Sequence, residues 1–259
     1  MANDPALALT VLGTGDAFAT GGHPHSCYLL EPIGEGESEC RAALIDCGPT
    51  AVPMLQGMAF DLAEIDLVLL IHHHGDHIAG VAFLYLNYQF LFQRNRPLTV
   101  AGPPGTEEKC EEIFRASYGE TAGLMKRRFD LEYIELEDGA EREILGLAIL
   151  PGRVTHMRKG IPFGYRIGWQ GRALGLSGDT EWDENLIALA EETDIFLMEC
   201  YTADKKIPFH TSLKDLEREG SRLRTRRLLL THMGEDVRRL AAPSESPFEA
   251  ARDGQRIEF

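Results

Sequence analysis

The densest group of metal-binding side chains in the sequence is His72-x-His74-x-Asp76-His77, spelled HHHGDH over residues 72–77. In an extended segment alternate residues point the same way, so His72 and His74 can share one ion. Gly75 precedes Asp76 and His77, and its backbone freedom is expected to fold the chain back and aim both at a second ion about 3.5–4 Å from the first. The bland alternative is a histidine-rich surface loop, but a solvated loop has no reason to follow an apolar strand so tightly. His156, Asp179 and His232 are weaker signals, because an isolated histidine is commonly a hydrogen-bonded structural residue.

Those weaker signals gain weight from what precedes them. Apolar runs at Leu67–Ile71, Leu147–Leu150, Ala173–Leu176 and Leu228–Leu230 read as strands, and they lead to His72, His156, Asp179 and His232 respectively. Layered α/β folds place their sites at the carboxyl ends of strands. Further strands are expected at Leu7–Leu12, Cys27–Leu30, Ala42–Cys47, Thr99–Ala101 and Ile195–Met198, and helices at Ile78–Phe92, Glu107–Tyr118, Glu184–Glu192 and Leu213–Ser221. Pro32–Glu39 (PIGEGESE) reads as a hairpin tip. Strand-rich runs leading into helices in each half predict an α/β or α+β layered fold. With no long linker, residues 1–259 are expected to form one domain.

Together the candidates predict one ion on His72, His74 and His156 and a second on Asp76, His77 and His232, with Asp179 bridging the two. Each ion would keep an open position for water, as a catalytic site needs and a closed structural site does not. The aromatics after the motif, Phe83, Tyr85, Tyr88, Phe90 and Phe92, are expected to pack in layers rather than line a pocket. His23 and His25, in a glycine-rich turn, stand either at the site mouth or in a surface turn.

Charge narrows the substrate. Lys and Arg number 26 against 41 Asp and Glu, a formal net charge of −15. Such a surface repels a long polyanion unless basic residues gather locally. The basic runs at Lys126–Arg128 and Arg222–Arg227 are short and read as solvated faces. Apolar residues make up 44%, which excludes wholesale disorder. No basic n-region opens the chain, and the 5 cysteines include no CxxC spacing, so reduced thiols and a cytoplasmic location are expected.

HHHGDH, His156, Gly178-Asp179-Thr180 and Thr231-His232 together resemble the metallo-β-lactamase superfamily, over nearly the whole chain from Val11 to His232. The resemblance implies an αββα fold (α+β), a four-layer sandwich of two mixed sheets flanked by helices. Ile45-Asp46-Cys47-Gly48 resembles the IDxG strand end of that superfamily, where the aspartate supports the ligand loop. Members that hydrolyse β-lactams usually carry cysteine at the position of Asp179, and the flavodiiron branch carries glutamate at that of His74. Leu12-Gly13-Thr14-Gly15, Phe163-Gly164-Tyr165-Arg166-Ile167 and His210-Thr211-Ser212 are similar instead to ribonuclease Z and related phosphodiesterases.

That branch implies two divalent metal ions, zinc in the first instance with manganese or iron as alternatives, and a metal-bridging hydroxide as nucleophile. Asp76 would orient the nucleophile, and His210 would protonate the leaving oxygen. The residues also allow a plainer role, in which Thr211 or Ser212 caps the following helix and His210 is merely adjacent. Ribonuclease Z carries a long Gly/Pro- and Lys-rich arm for transfer RNA; here only Gly168–Arg172 (GWQGR) separates the Phe163–Ile167 segment from the next strand. The expectation is therefore a phosphodiesterase for a small or single-stranded phosphodiester. Large structured nucleic acid and membranes are not expected as partners, and a homodimer is possible. Alternatives are a lactone or thioester hydrolase, and, less favoured, a tRNA 3′-processing endonuclease or an iron-dependent oxidoreductase.

Overall fold

Apolar runs without polar alternation, such as Leu7–Gly13 and Ile65–Leu69, form strands buried along their whole length, as strands covered on both faces do. A computed structural model describes residues 5–34, 38–92, 94, 96–124, 126–240 and 248–259, with the backbone alone over 120–124. The strands are β1 Leu7–Gly13, β2 Cys27–Pro32, β3 Ala42–Ile45, β4 Ile65–Leu69, β5 Leu98–Gly102, β6 Leu131–Glu135, β7 Arg142–Ile144, β8 Leu147–Arg153, β9 Phe163–Trp169, β10 Arg172–Leu176, β11 Ile195–Glu199, β12 Leu228–Thr231, β13 Glu249–Ala250 and β14 Arg256–Glu258. The helices are α1 Ala51–Gly57, α2 Gly75–Ile78, α3 Val81–Phe90, α4 Thr106–Leu124, α5 Asn185–Ala190, α6 Leu213–Glu219 and α7 Glu235–Leu240.

Among the described residues the strands form two seven-stranded sheets, ordered β14-β1-β2-β3-β4-β5-β6 and β13-β12-β11-β10-β9-β8-β7. Each is mixed. In the first, β3 to β6 run parallel and the remainder antiparallel. In the second, β10 to β13 run parallel, while β7 to β10 form an antiparallel meander. One apolar layer lies between the sheets, with Leu9, Val11, Leu67 and Leu69 against Ile149, Tyr165, Ile167 and Leu197. A second layer packs the first sheet under α1, α3 and α4, and a third packs the second sheet under α5, α6 and α7. The result is the expected four-layer αββα sandwich.

Several local expectations differ. Ile78–Phe92 is two helices, α2 and α3, separated by Ala79 and Gly80. A Cβ on Gly80 would lie 2.0 Å from the Gly48 carbonyl oxygen, so the chain must pass close to the neighbouring loop before the second helix starts. Helices α1, which contains Pro53, and α7, with strands β6, β7, β13 and β14, carry weaker patterns and lie outside the expected elements. The hairpin tip expected at Pro32–Glu39 falls partly on residues 35–37, outside the described residues; its flanking strands β2 and β3 do pair antiparallel. Of the α3 aromatics, Tyr85 and Tyr88 are buried, whereas Phe83 and Phe90 are about half exposed. No helix among the described residues is long and apolar enough to cross a membrane.

Candidate metal centre

The site is built at one end of the sandwich, where parallel strands of both sheets finish. Beyond β4 the chain reaches His72 and His74, and α2 then carries Asp76 and His77. Beyond β8 comes His156, beyond β10 Asp179, and beyond β12 His232. All seven expected residues converge. The ligand atoms of His72, His74 and His156 lie within 4.8 Å of one another, as do those of Asp76, His77, Asp179 and His232.

Asp179 is the hinge of the arrangement. Its Oδ2 lies 3.2 Å from His77 Nε2, 3.3 Å from His232 Nε2 and 3.8 Å from His156 Nε2, so one carboxylate oxygen faces both groups. Although burial pushes it up, the neighbouring His232 and His77 hold its carboxyl well below the usual range. His74 Nδ1 and His156 Nε2 are 3.1 Å apart, a close approach of two atoms that are both acceptors when each imidazole is set to bind a cation. His72 is 1% exposed, and neither ring nitrogen has a hydrogen-bond partner. A buried imidazole with two unpaired nitrogens is unfavourable unless something absent from the polypeptide satisfies one of them. Burial, followed by the nearby His77, also pushes the His72 imidazole well below its usual value, which keeps one ring nitrogen's lone pair free. The donor set therefore fits a divalent cation.

Supporting contacts fix the rings. His77 Nδ1 donates to Asp46 Oδ2 at 2.6 Å, and Asp46 Oδ1 accepts the Ile71 N–H at 3.0 Å, so one buried aspartate holds both the ligand ring and the start of its loop. His156 Nδ1 faces the Phe209 carbonyl at 3.0 Å, and Ser26 Oγ lies 3.3 Å from His232 Nδ1. Each contact leaves the Nε2 atom toward the centre.

The role expected of Gly75 is not seen. It opens a helical turn with negative φ, and a Cβ there would meet nothing within 4 Å. The close approach belongs to Gly48, where a Cβ would sit 1.9 Å from the Asp76 carbonyl oxygen. His73 turns away to Thr106 Oγ1 at 2.9 Å. His23 pairs with Asp253 at 2.6 Å, and His25 Nδ1 lies 3.3 Å from Thr50 Oγ1, which ties their turn to the segments before β14 and α1.

His210 does join the site. Its ring stacks on His232 with centroids 5.6 Å apart and meets His156 at 5.1 Å. Ser212 caps α6 as well, so the segment both caps its helix and brings His210 to the edge of the cluster. Glu199, not singled out in the sequence, ends β11 and presents Oε1 3.0 Å from His210 Nδ1. It also accepts the Thr180 and Thr211 N–H groups. Burial, partly offset by the hydrogen bond from His210, pushes its carboxyl up to about 7. The signal available for it was its place at a carboxyl strand end beside Asp179. His156, Glu199 and His210 also lie within 4.8 Å of one another, but Glu199 is already occupied by these donors.

The basic run Arg222–Arg227 is neutralised by pairs with Glu184, Glu191, Asp194 and Glu249. The second sheet keeps its tight turn, with Trp169 opposite Arg172.

A family model described as Anti-Pycsar protein Apyc1 matches residues 7–256. The chain is 26% identical over 280 residues to the ribonuclease Z of Mycobacterium bovis (strain BCG / Pasteur 1173P2), covering 97% of this chain and 98% of that one. Its fold is similar to the metallo-β-lactamase fold protein YhfI from Bacillus subtilis, with a TM-score of 0.77 and 21% identity, over 99% of this chain and 100% of that one. It is also similar to a diphosphatase of the PhnP family, with a TM-score of 0.71 and 20% identity, over 98% of each chain.

Proposed function

The chain belongs to the Anti-Pycsar protein Apyc1 family and is a metal-dependent hydrolase of the metallo-β-lactamase superfamily, on its ribonuclease Z branch; on that premise we propose that it is a dinuclear phosphodiesterase for small phosphodiesters. His72, His74 and His156 would hold one ion, Asp76, His77 and His232 the other, and Asp179 both. When bound, such divalent ions, zinc in the first instance with manganese or iron as alternatives, would supply Lewis-acid activation of water and offset charge that builds on the phosphoryl oxygens.

The protein's own groups divide the remaining work. Asp76 Oδ2 faces His77 Nε2 at 3.0 Å, which turns the carboxylate toward the centre, where it orients the attacking water. His210 Nδ1 is engaged by Glu199, so its Nε2 is the atom left to give a proton to the leaving oxygen. Glu199 is a positioning residue: it fixes the ring and favours its protonated form.

The observation that carries this reading is the Glu199–His210 pair standing against the seven-residue cluster, an acid placed beside a site suited to activating water. The short turn between β9 and β10 and the net charge of −15 favour a compact substrate over a structured RNA. An anti-Pycsar role, for which its family is named, is the setting we infer for this activity.

The test is hydrolysis of bis(p-nitrophenyl) phosphate, a dinucleotide and a cyclic mononucleotide by protein whose metal content is determined on the same sample. Turnover with two equivalents of zinc or manganese, lost in Asp76→Ala, is expected. Bound metal without turnover of any diester, alongside turnover of a lactone or thioester, would overturn the proposal.

A further inference from the structure

Phe18 is 77% exposed, the most exposed of the large apolar side chains among the described residues. It is not held out by slack in the chain. Asp16, 2% exposed, accepts the Phe18 N–H at 3.1 Å and the Thr20 N–H at 3.0 Å through Oδ1, and the Thr20 hydroxyl at 2.7 Å through Oδ2. Ala19 adopts a left-handed conformation with φ 50°, unusual for a residue with a Cβ, and its N–H donates to the Asp16 carbonyl at 3.0 Å. A buried carboxylate and a strained residue thus fix a turn whose exposed tip is a benzyl group. Burying that ring would have been the stabilising choice, and the turn forgoes it.

The turn starts at the edge of the metal centre. Gly15 bridges both to His25 and to Met233, the neighbour of His232. Ser26, whose N–H donates to the Gly15 carbonyl, places its hydroxyl 3.3 Å from His232 Nδ1. On the same side, the Tyr201 ring lies 6.3 Å from that of His232 and 4.9 Å from that of His210. The root of the Phe18 turn therefore adjoins the wall that carries His232 and His210.

We propose that Phe18 is a specificity-determining residue that stacks against a flat aromatic group of the substrate, a nucleobase, while the phosphodiester occupies the centre. Every base has a π-face, so such a platform selects nucleotidyl over aliphatic diesters without selecting one base. This rests on the phosphodiesterase reading for where the phosphate lies.

Equilibrium binding tests it without turnover. Metal-loaded protein is titrated calorimetrically with adenosine 5′-monophosphate and with ribose 5-phosphate, which share the phosphate and the sugar and differ in the base. Wild type is expected to bind the nucleotide about tenfold more tightly; Phe18→Ala should lose most of that ratio and Phe18→Trp should keep it. Thermal melting shows that the variants are folded, and bis(p-nitrophenyl) phosphate hydrolysis, measured separately, reports the phosphodiesterase reading by itself. A wild-type ratio near one, or an equal ratio in wild type and Phe18→Ala, overturns the proposal. An unchanged ratio with a Phe18→Ala particle that elutes smaller on size exclusion overturns it as well, and gives the ring to contact between copies of the chain.

Discussion

His210 Nδ1 lies 3.0 Å from Glu199 Oε1, so the imidazole at the edge of the metal cluster is held by a carboxylate 1% exposed. The pair separates two tasks by location, because Glu199 reaches His210 but does not belong to either main ligand group.

The leaving group exposes that separation. p-Nitrophenolate departs without needing a proton, whereas an alkoxide or ribose oxygen does not. His210→Ala should therefore reduce kcat on a dinucleotide by about 10²–10⁴-fold and on bis(p-nitrophenyl) phosphate far less. Glu199→Gln should follow the same pattern with a smaller loss. Equal losses on both substrates in steady-state assays would show that His210 supports the site without donating a proton.

Metal stoichiometry should distinguish the shared ligand from the unshared ones. Asp179→Ala removes an oxygen that faces both groups and should lower occupancy of both ions, while His74→Ala should leave close to one equivalent. Chelation should also lower the melting temperature, because ions that bind only the folded chain stabilise it by about 2.7 kcal/mol at one hundred times Kd. Plasma emission analysis of dialysed protein and melting with and without chelator check both statements.

Much of this centre was legible in the sequence because its strands are unambiguous. β4, β10 and β12 are short apolar runs with polar chemistry immediately after them, and parallel strands covered on both faces leave that signature. Glu199 was not legible. It ends β11 as Asp179 follows β10, but a lone glutamate after an apolar run has many structural explanations, and only the fold brings His210 back to it. The edge strands β13 and β14 escaped for another reason: two and three residues carry no periodicity, and their pairing is set by tertiary contact with β12 and β1. The pairing of Phe18 with a buried anchor at Asp16 was equally invisible, since the anchor acts through backbone N–H groups.

Asp46 offers a way to weaken the second ion without touching a ligand. Its φ of 60° is left-handed, which asparagine adopts at less cost than alanine, and its two oxygens serve His77 and Ile71. Asp46→Asn should keep the fold and lower metal affinity about 10- to 100-fold. Asp46→Ala should do the same and also cost about 1–3 kcal/mol of stability. Urea unfolding beside metal titration checks this; equal stability of the two variants would refute the backbone argument.

Acid should act through the cap of α6, the helix that follows His210. Burial pushes Asp215 up, but hydrogen bonds from the Ser212 hydroxyl and N–H, then Arg218, bring its carboxyl below the usual value. A carboxyl depressed in the folded state stabilises at pH values above its unfolded value, and that stability is lost as pH falls through the folded one. Asp215→Asn should thus melt lower than wild type at pH 7, by about 0.5–2 kcal/mol, with the gap closing below about pH 4. A gap that stays constant from pH 7 to pH 3 would place the effect elsewhere.

Two glycines beside the motif should respond in opposite ways. Gly48 has no room for a methyl group, because the added carbon would stand 1.9 Å from the Asp76 carbonyl oxygen, an atom of the backbone that cannot swing aside. Gly48→Ala must displace either the loop after β3 or the turn that carries Asp76 and His77, and a loss of diesterase activity together with about 1–3 kcal/mol of stability is expected. Gly75 lies in the motif itself, yet its helical backbone suits any residue and the space around it is open. Gly75→Ala should fold as well as wild type or better, by up to about 1 kcal/mol, since alanine loses less conformational freedom on entering a helix. Because Asp76 and His77 owe their direction to the helical turn rather than to glycine, Gly75→Ala should also retain its metal and most of its turnover. Loss of both in a stably folded Gly75→Ala protein would mean that the turn opens during the reaction.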